Sequence, residues 1–328
     1  MRFDVVGPPS PALVWGITIV RWTMVIAGGG DAYRSATYVQ DLAEVSAGGL
    51  PGTVIASESP STALCRHLAS KKLPVTVFRD DPLTVVSWIM NERQLNFLSA
   101  LQVASLCLST VHDVIDQCAS FAVDAHGKTP LAKLVSAIAS WHDTTLDAEH
   151  TAQVLARIGG DAAETFGRFV ARQSATAFEQ SLSAEEQDVA NAVLGDFRQL
   201  ARSFCWPAST LMDVRAADAS ARDVYDMTGP SRILSYGPYF CLPCGRWAAE
   251  WQFTVQGNHS GNVLVLDIAT GTTVVPFTAK LPSQGVFSAE FEFPVKEART
   301  PIEIRAALGE GAIEGQLAVG PIRLRRLE

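Results

Sequence analysis

Short apolar runs alternate with longer helical patterns over about the first 125 residues. Arg2-Phe3-Asp4-Val5-Val6-Gly7, Gly52-Thr53-Val54-Ile55-Ala56-Ser57 and Leu73-Pro74-Val75-Thr76-Val77-Phe78 are each short and rich in β-branched residues. Each ends at a turn, a polar residue or a proline, which predicts three strands. Helix-period patterns follow, including Thr62 to Lys71 and Leu83 to Cys118. Strand and helix in alternation predict a parallel sheet covered by helices.

The texture then changes twice. From about 127 to 205 the pattern is helical, with Leu131, Leu134, Val135, Ile138 and Trp141 recurring at spacings of three and four, and then Val154, Leu155 and Ile158. Gly159-Gly160 and Ser181-Leu182-Ser183 break it, and Ser183-Ala184-Glu185-Glu186 fits a capping box that opens a last helix. Between 206 and 230 periodicity fails, and Ala, Asp, Arg and Ser dominate Ala216 to Asp223, the composition of a linker. From 231 to 328 strand-like runs follow one another without room for helices: Trp247 to Phe253, Val263 to Ile268, Phe287 to Phe293 and Ile302 to Ala306. The expected organisation is an α/β parallel-sheet domain with a helical extension over 1–205, a linker over 206–230, and an all-β, jelly-roll-like sandwich of about eight short strands over 231–328.

Composition narrows the classes. The chain has 328 residues, 48% hydrophobic and 18% charged, which excludes a disordered chain. A net charge of -8 argues against charge-driven binding to nucleic acid. The mean hydropathy of +0.15 raises the question of a membrane. The candidate is Leu13 to Ala27, but it is about 15 residues long against the roughly 20 a span needs, and Arg21 sits near its middle. It is expected to be a buried or half-buried helix, with no membrane span. The start of the chain lacks the layout of a secretory signal, and six cysteines are scattered rather than framed. Reduced thiols and a cytoplasmic location are the expectation.

The segment that carries most chemistry is Ser57 to Asn91, SESPSTALCRHLASKKLPVTVFRDDPLTVVSWIMN. It resembles the sulfotransferase family, in which a strand closes in Arg-Asp-Pro and the next helix carries a Ser. The resemblance implies that Arg79 and Ser87, at the family spacing, bind the 3′-phosphate of the sulfate donor 3′-phosphoadenosine 5′-phosphosulfate (PAPS). An Arg at a strand's carboxyl end facing a hydroxyl on the next helix suits a phosphate dianion. The bland alternative is an Arg paired with Asp80 or Asp81 and a Ser packed in its helix. Pro82 comes one residue late, giving Arg-Asp-Asp-Pro. By the same resemblance the loop after the first strand, Gly7-Pro8-Pro9-Ser10-Pro11-Ala12-Leu13, stands where the family cradles the phosphosulfate, and Ser10 keeps its serine. Pro11 replaces a glycine, Ala12 and Leu13 replace threonines, and no basic residue is present. Prolines remove N–H donors, so this loop is a poor anion cradle. In the second loop, Ser57-Glu58-Ser59-Pro60, Glu58 is either a general base or a solvated loop carboxylate.

Tyr236-Gly237-Pro238-Tyr239-Phe240, with Leu242-Pro243-Cys244-Gly245-Arg246-Trp247 after it, resembles the opening of jelly-roll sandwiches attached to bacterial glycan-processing proteins. That implies a carbohydrate or polysaccharide partner. Tyr236 and Tyr239 are the candidate ligand-binding rings, while Trp247 and Trp251 share a strand face and are expected in the core. Cys241 and Cys244 have the spacing of a metal or redox pair but no second pair follows, and no metal is expected. The expected function is that of a divergent sulfotransferase-like protein with weak or absent catalysis, linked to cell-surface polysaccharide. The alternatives are an active PAPS-dependent carbohydrate sulfotransferase and a non-enzymatic interaction protein.

Overall fold

The computed structural model describes residues 2–42, 52–174, 181–199, 201–215 and 224–327. Two compact units divide the chain: Met1–Ala100 with Cys107–Leu182, and Leu101–Leu106 with Ser183–Glu328. The expected linker core, Ala216 to Asp223, lies outside the described residues.

The first unit is a parallel α/β sheet. Its strands are β1 (Arg2–Val6), β2 (Ala32–Ser35), β3 (Thr53–Ser57), β4 (Val75–Arg79) and β5 (Ser120–Asp124), in the order β2-β3-β1-β4-β5. All four pairings are parallel. Strand alternation splits the core in two. Val5, Val54 and Phe78 face α1 (Pro11–Ile26), α5 (Leu131–Trp141), α6 (Ala148–Ile158) and α7 (Phe166–Gln173). Val6, Ile55, Val75 and Val77 face α2 (Thr62–Ser70) and the later turns of α4 (Phe97–Gln117). The expected helical extension is therefore one of the two layers that bury the sheet, because its apolar stripes have nowhere else to go.

Three local readings change. The single helix expected over Leu83 to Cys118 is two, α3 (Pro82–Arg93) and α4. Gln94 adopts φ +51° and ends the first, and the Asn96 carboxamide accepts from Ser99 N at 2.9 Å to start the second. The glycine-rich stretch at 28–30 leads straight into β2, a four-residue strand that the sequence reading missed. Among the described residues, the helix long and apolar enough to cross a membrane is Phe97–Gln117, with mean hydropathy 1.4 and 67% of that window buried within the protein; Pro11–Ile26 is shorter.

The second unit is a β-sandwich of a six-stranded and a five-stranded sheet. Eight strands follow residue 231: β9 (Arg232–Tyr236), β10 (Pro238–Phe240), β11 (Gly245–Gln256), β12 (Val263–Thr270), β13 (Thr273–Lys280), β14 (Gly285–Val295), β15 (Ile302–Leu308) and β16 (Gln316–Leu327), of which β11, β12, β14 and β15 cover the four runs read as strands. Three more precede them: β6 (Ser203–Trp206), β7 (Met212–Asp213) and β8 (Val224–Asp226). β6 and β8 pair with β16, and β7 with β9, so the described parts of 203–226 belong to the sandwich sheets. Helix α8 (Ala184–Leu194) opens with the expected capping box between Ser183 and Glu186 and lies in this unit. Segment Leu101–Leu106 of α4 also belongs to it: Gln102 Nε2 donates to Pro238 O at 2.8 Å, and Ser105 Oγ accepts from Cys241 N at 3.0 Å. Trp247 and Trp251 are fully buried, as their shared strand face implied.

Candidate functional site

In a parallel sheet all strands end on one edge, and open α/β sheets take ligands there, where strand order reverses. Val6 of β1 registers with Ser57 of β3 and with Val77 of β4. The loops that follow therefore leave the same edge; they carry Ser10 and Glu58, and Arg79 closes β4 there. The structure gathers these three at one edge, and Ser87 follows on the second turn of α3.

The loop after β1 decides what that edge can do. A helix N-terminus offers unsatisfied N–H groups and a partial positive charge to an anion. At α1 those groups are already engaged. Pro11 has no N–H. Ala12 N donates to Asp80 Oδ2 at 3.3 Å, Leu13 N to Ser10 Oγ at 3.3 Å, and Val14 N to Ser10 O at 3.1 Å. Ser10 is fully buried, and its hydroxyl donates in turn to the Asp80 carboxylate. That carboxylate also accepts from Asp81 N at 2.9 Å. The anion at this helix terminus is thus the protein's own. Ser10, expected to touch a cofactor, caps α1 and holds Asp80 instead. The sequence held the signal in the doubled Asp of Arg-Asp-Asp-Pro: Asp80 turns back to α1, and Asp81 caps α3 by accepting from Leu83 N at 2.9 Å.

The other candidates are more exposed. Arg79 ends β4 half-buried, and its carbonyl accepts from Ala125 N at 2.8 Å. Ser87 is half-buried on α3, its carbonyl taken by Asn91 Nδ2 at 2.8 Å. Glu58 is exposed and ion-paired with Arg93 Nη2 at 2.7 Å. A pair this open contributes at most about 1 kcal/mol.

Two titratable groups, half-buried Asp80 and buried His142, contribute opposite pH responses to this unit. Burial pushes the Asp80 carboxyl up to about 6, against the hydrogen bonds from Asp81 and Ala12. Burial pushes His142 down to about 4, with its Nε2 bonded to Thr76 Oγ1 at 2.9 Å. The signs oppose. Between pH 4 and 6.5 the unfolded chain binds a proton at residue 142 that the fold refuses, so that contribution rises with pH. Between pH 3.8 and 6 the fold keeps a proton on Asp80 that the unfolded chain has lost, so that contribution falls with pH. Each spans about 3 kcal/mol. Relative to the wild type, Asp80→Asn should gain about 2 kcal/mol on going from pH 4 to 6, and His142→Gln should lose a similar amount. Urea unfolding midpoints across that range check both, and a pH profile unchanged by either substitution would contradict the burial argument.

In the sandwich, Tyr236 and Tyr239 are half-buried and pack edge to face on each other, centroids 6.3 Å apart. Tyr239 Oη donates to Glu303 Oε1 at 3.0 Å, and burial with that carboxylate pushes its phenol up to about 12. One ring edge and one hydroxyl of the pair are therefore engaged. Cys241 and Cys244 form no disulfide, and among the described residues no group of three or more His, Cys, Asp or Glu is placed to hold a metal.

No protein-family model matches the chain, and no curated protein matches it. Solved structures give partial likenesses. One is mouse sulfotransferase SULT7A1 complexed with PAP, at TM-score 0.39 and 8% identity over 57% of this chain and 80% of that one. Another is TmCBM61 in complex with β-1,4-galactotriose, at TM-score 0.24 and 12% identity over 42% of this chain and 96% of that one. A third is the C-terminal CBM6 of LamC, a laminarinase from Zobellia galactanivorans, at TM-score 0.21 and 12% identity over 38% and 99%.

Proposed function

We propose that this chain is a sulfotransferase-like protein that transfers no sulfate, and that it serves polysaccharide metabolism by holding a glycan on its β-sandwich. The observation that carries the reading is the α1 N-terminus, whose first-turn donors are consumed by Ser10 and Asp80 or missing at Pro11. A phosphosulfate brought there would meet a carboxylate instead of open N–H groups, and buried like charges repel strongly. Arg79 and Ser87 supply a weak hold on a 3′-phosphate, which separates weak nucleotide binding from transfer. The exposed polar side chains of Glu250, Gln252, Glu290 and Arg323 on the five-stranded sheet support the glycan partner. Six cysteines outside any disulfide support a reducing compartment such as the cytoplasm.

The test is a titration with adenosine 3′,5′-bisphosphate, followed by an assay with PAPS. Binding should be no tighter than about millimolar. Arg79→Ala should weaken it roughly tenfold or more, the cost of losing a charge-assisted contact. Micromolar affinity that is indifferent to Arg79 would overturn this placement of the nucleotide. The active-enzyme reading gains if PAPS turns over.

A further inference from the structure

We infer that a groove on the outer face of the five-stranded sheet is the glycan site, and that it recognises an uncharged run of sugar hydroxyls. This rests on the glycan reading above and moves the site away from the tyrosine pair.

The groove has a volume of about 570 Å³, with Asn191 and Asp196 on its helix side and sheet residues Glu250, Glu290, Arg323 and Arg325 in its lining. Cross-strand register explains how residues so distant in sequence meet. Glu290 of β14 lies opposite Glu250 of β11, Glu250 opposite Arg323 of β16, and Arg323 opposite Cys205 of β6. They form one row across four strands, spanning about 14 Å at the usual strand spacing. Arg325, opposite Ser203, stands in the next row of the same face. All four charged side chains are exposed.

The charge pattern selects the ligand class. Like charges directly opposite on neighbouring strands cost stability, so the Glu250–Glu290 pair is not there for the fold. Glu250 and Glu290 offset the two guanidiniums, and Asp196, which accepts from Arg202 N and Ser203 N, leaves one net negative charge, so no polyanion is drawn in and the pull on a polycation is slight. Carboxylates only accept hydrogen bonds and guanidiniums only donate, each through a planar fork, whereas a hydroxyl does both. Forked acceptors beside forked donors match adjacent hydroxyls on a sugar ring. The ring in the lining, Phe204, is itself buried, so recognition runs through hydrogen bonds rather than stacking, and affinity is low. Tyr236 and Tyr239 do not line the groove.

The experiment titrates the full chain with neutral β-1,4-linked oligosaccharides and, separately, with a polyuronate. A neutral oligosaccharide should bind in the high-micromolar to millimolar range. Affinity should change less than twofold between 50 and 500 mM NaCl, and fall about tenfold or more in Arg323→Ala and in Glu250→Gln. In the wild type, saturating oligosaccharide should slow maleimide alkylation of the Cys205 thiol, read on its peptide by mass spectrometry; this check needs no variant. Preference for the polyuronate, weakening steeply with salt, overturns the uncharged class. Binding that survives the groove variants, leaves Cys205 unprotected and is lost in Tyr236→Ala overturns the site but keeps the glycan reading. No binding to either probe overturns both.

Discussion

Trp251→Ala should destabilise the sandwich by about 3–5 kcal/mol, the usual cost of truncating a large core aromatic. The Trp251 ring is fully buried and lies 4.6 Å, centroid to centroid, from Phe253 on the same strand face. Its indole N–H also serves Gly320 O at 3.1 Å, where β11 and β16 shift register, so truncation removes that bond as well. Against a typical total of 5–15 kcal/mol, the loss leaves the unit near the edge of stability. Gln252→Ala, one residue away and exposed, should shift stability by no more than about 0.5 kcal/mol. Hydrogen exchange of β11, β14 and β16 peptides under increasing urea reads both. A change below about 1 kcal/mol in Trp251→Ala would mean that the sandwich core is not organised around this ring.

Gly16→Val should destabilise the α/β unit by about 3 kcal/mol or more. A glycine inside a helix is normally a weakness, and alanine in its place gains about 1 kcal/mol when there is room. Here there is none: a Cβ on Gly16 would sit 2.5 Å from the Phe78 ring. Phe78 cannot step aside, being fully buried and packed 5.7 Å from Phe166. Overpacking of this kind costs about 1–3 kcal/mol, and a branched side chain adds to it. Gly16→Ala should lie between wild type and valine. An alanine variant more stable than wild type would show that propensity outweighs the clash and that α1 is not held tightly on β4. That contact matters for function because it fixes the α1 N-terminus beside the loop bearing Asp80.

Much of the fold was legible from the chain. The runs at 2–7, 52–57 and 73–78 are strands because β-branched residues alternate between two apolar layers. The Ser183 capping box and the buried Trp247 and Trp251 also followed from local pattern. The break at Gln94 was not legible, because Leu95, Phe97 and Leu98 continue the apolar pattern and a left-handed glutamine carries no glycine signal. Strands β6 to β8 span two to four residues each, too short for any periodicity to register. At the site, Arg79, Ser87 and the proline-rich loop stood out because each is a local motif. The role of Asp80 did not, since it depends on which loop in space that carboxylate meets. The groove residues 250, 290 and 323 were invisible for the same reason: strand register alone brings them into one row.

The most direct measurement is sulfate transfer from PAPS by the intact chain, followed as 3′,5′-bisphosphate release in the presence of neutral and acidic polysaccharides, with Arg79→Ala as the control. With Asp80 seated at the α1 N-terminus, release should stay at the rate of uncatalysed hydrolysis, identical in both proteins. Multiple turnovers that require a polysaccharide and disappear in Arg79→Ala would contradict the account and make this protein an enzyme.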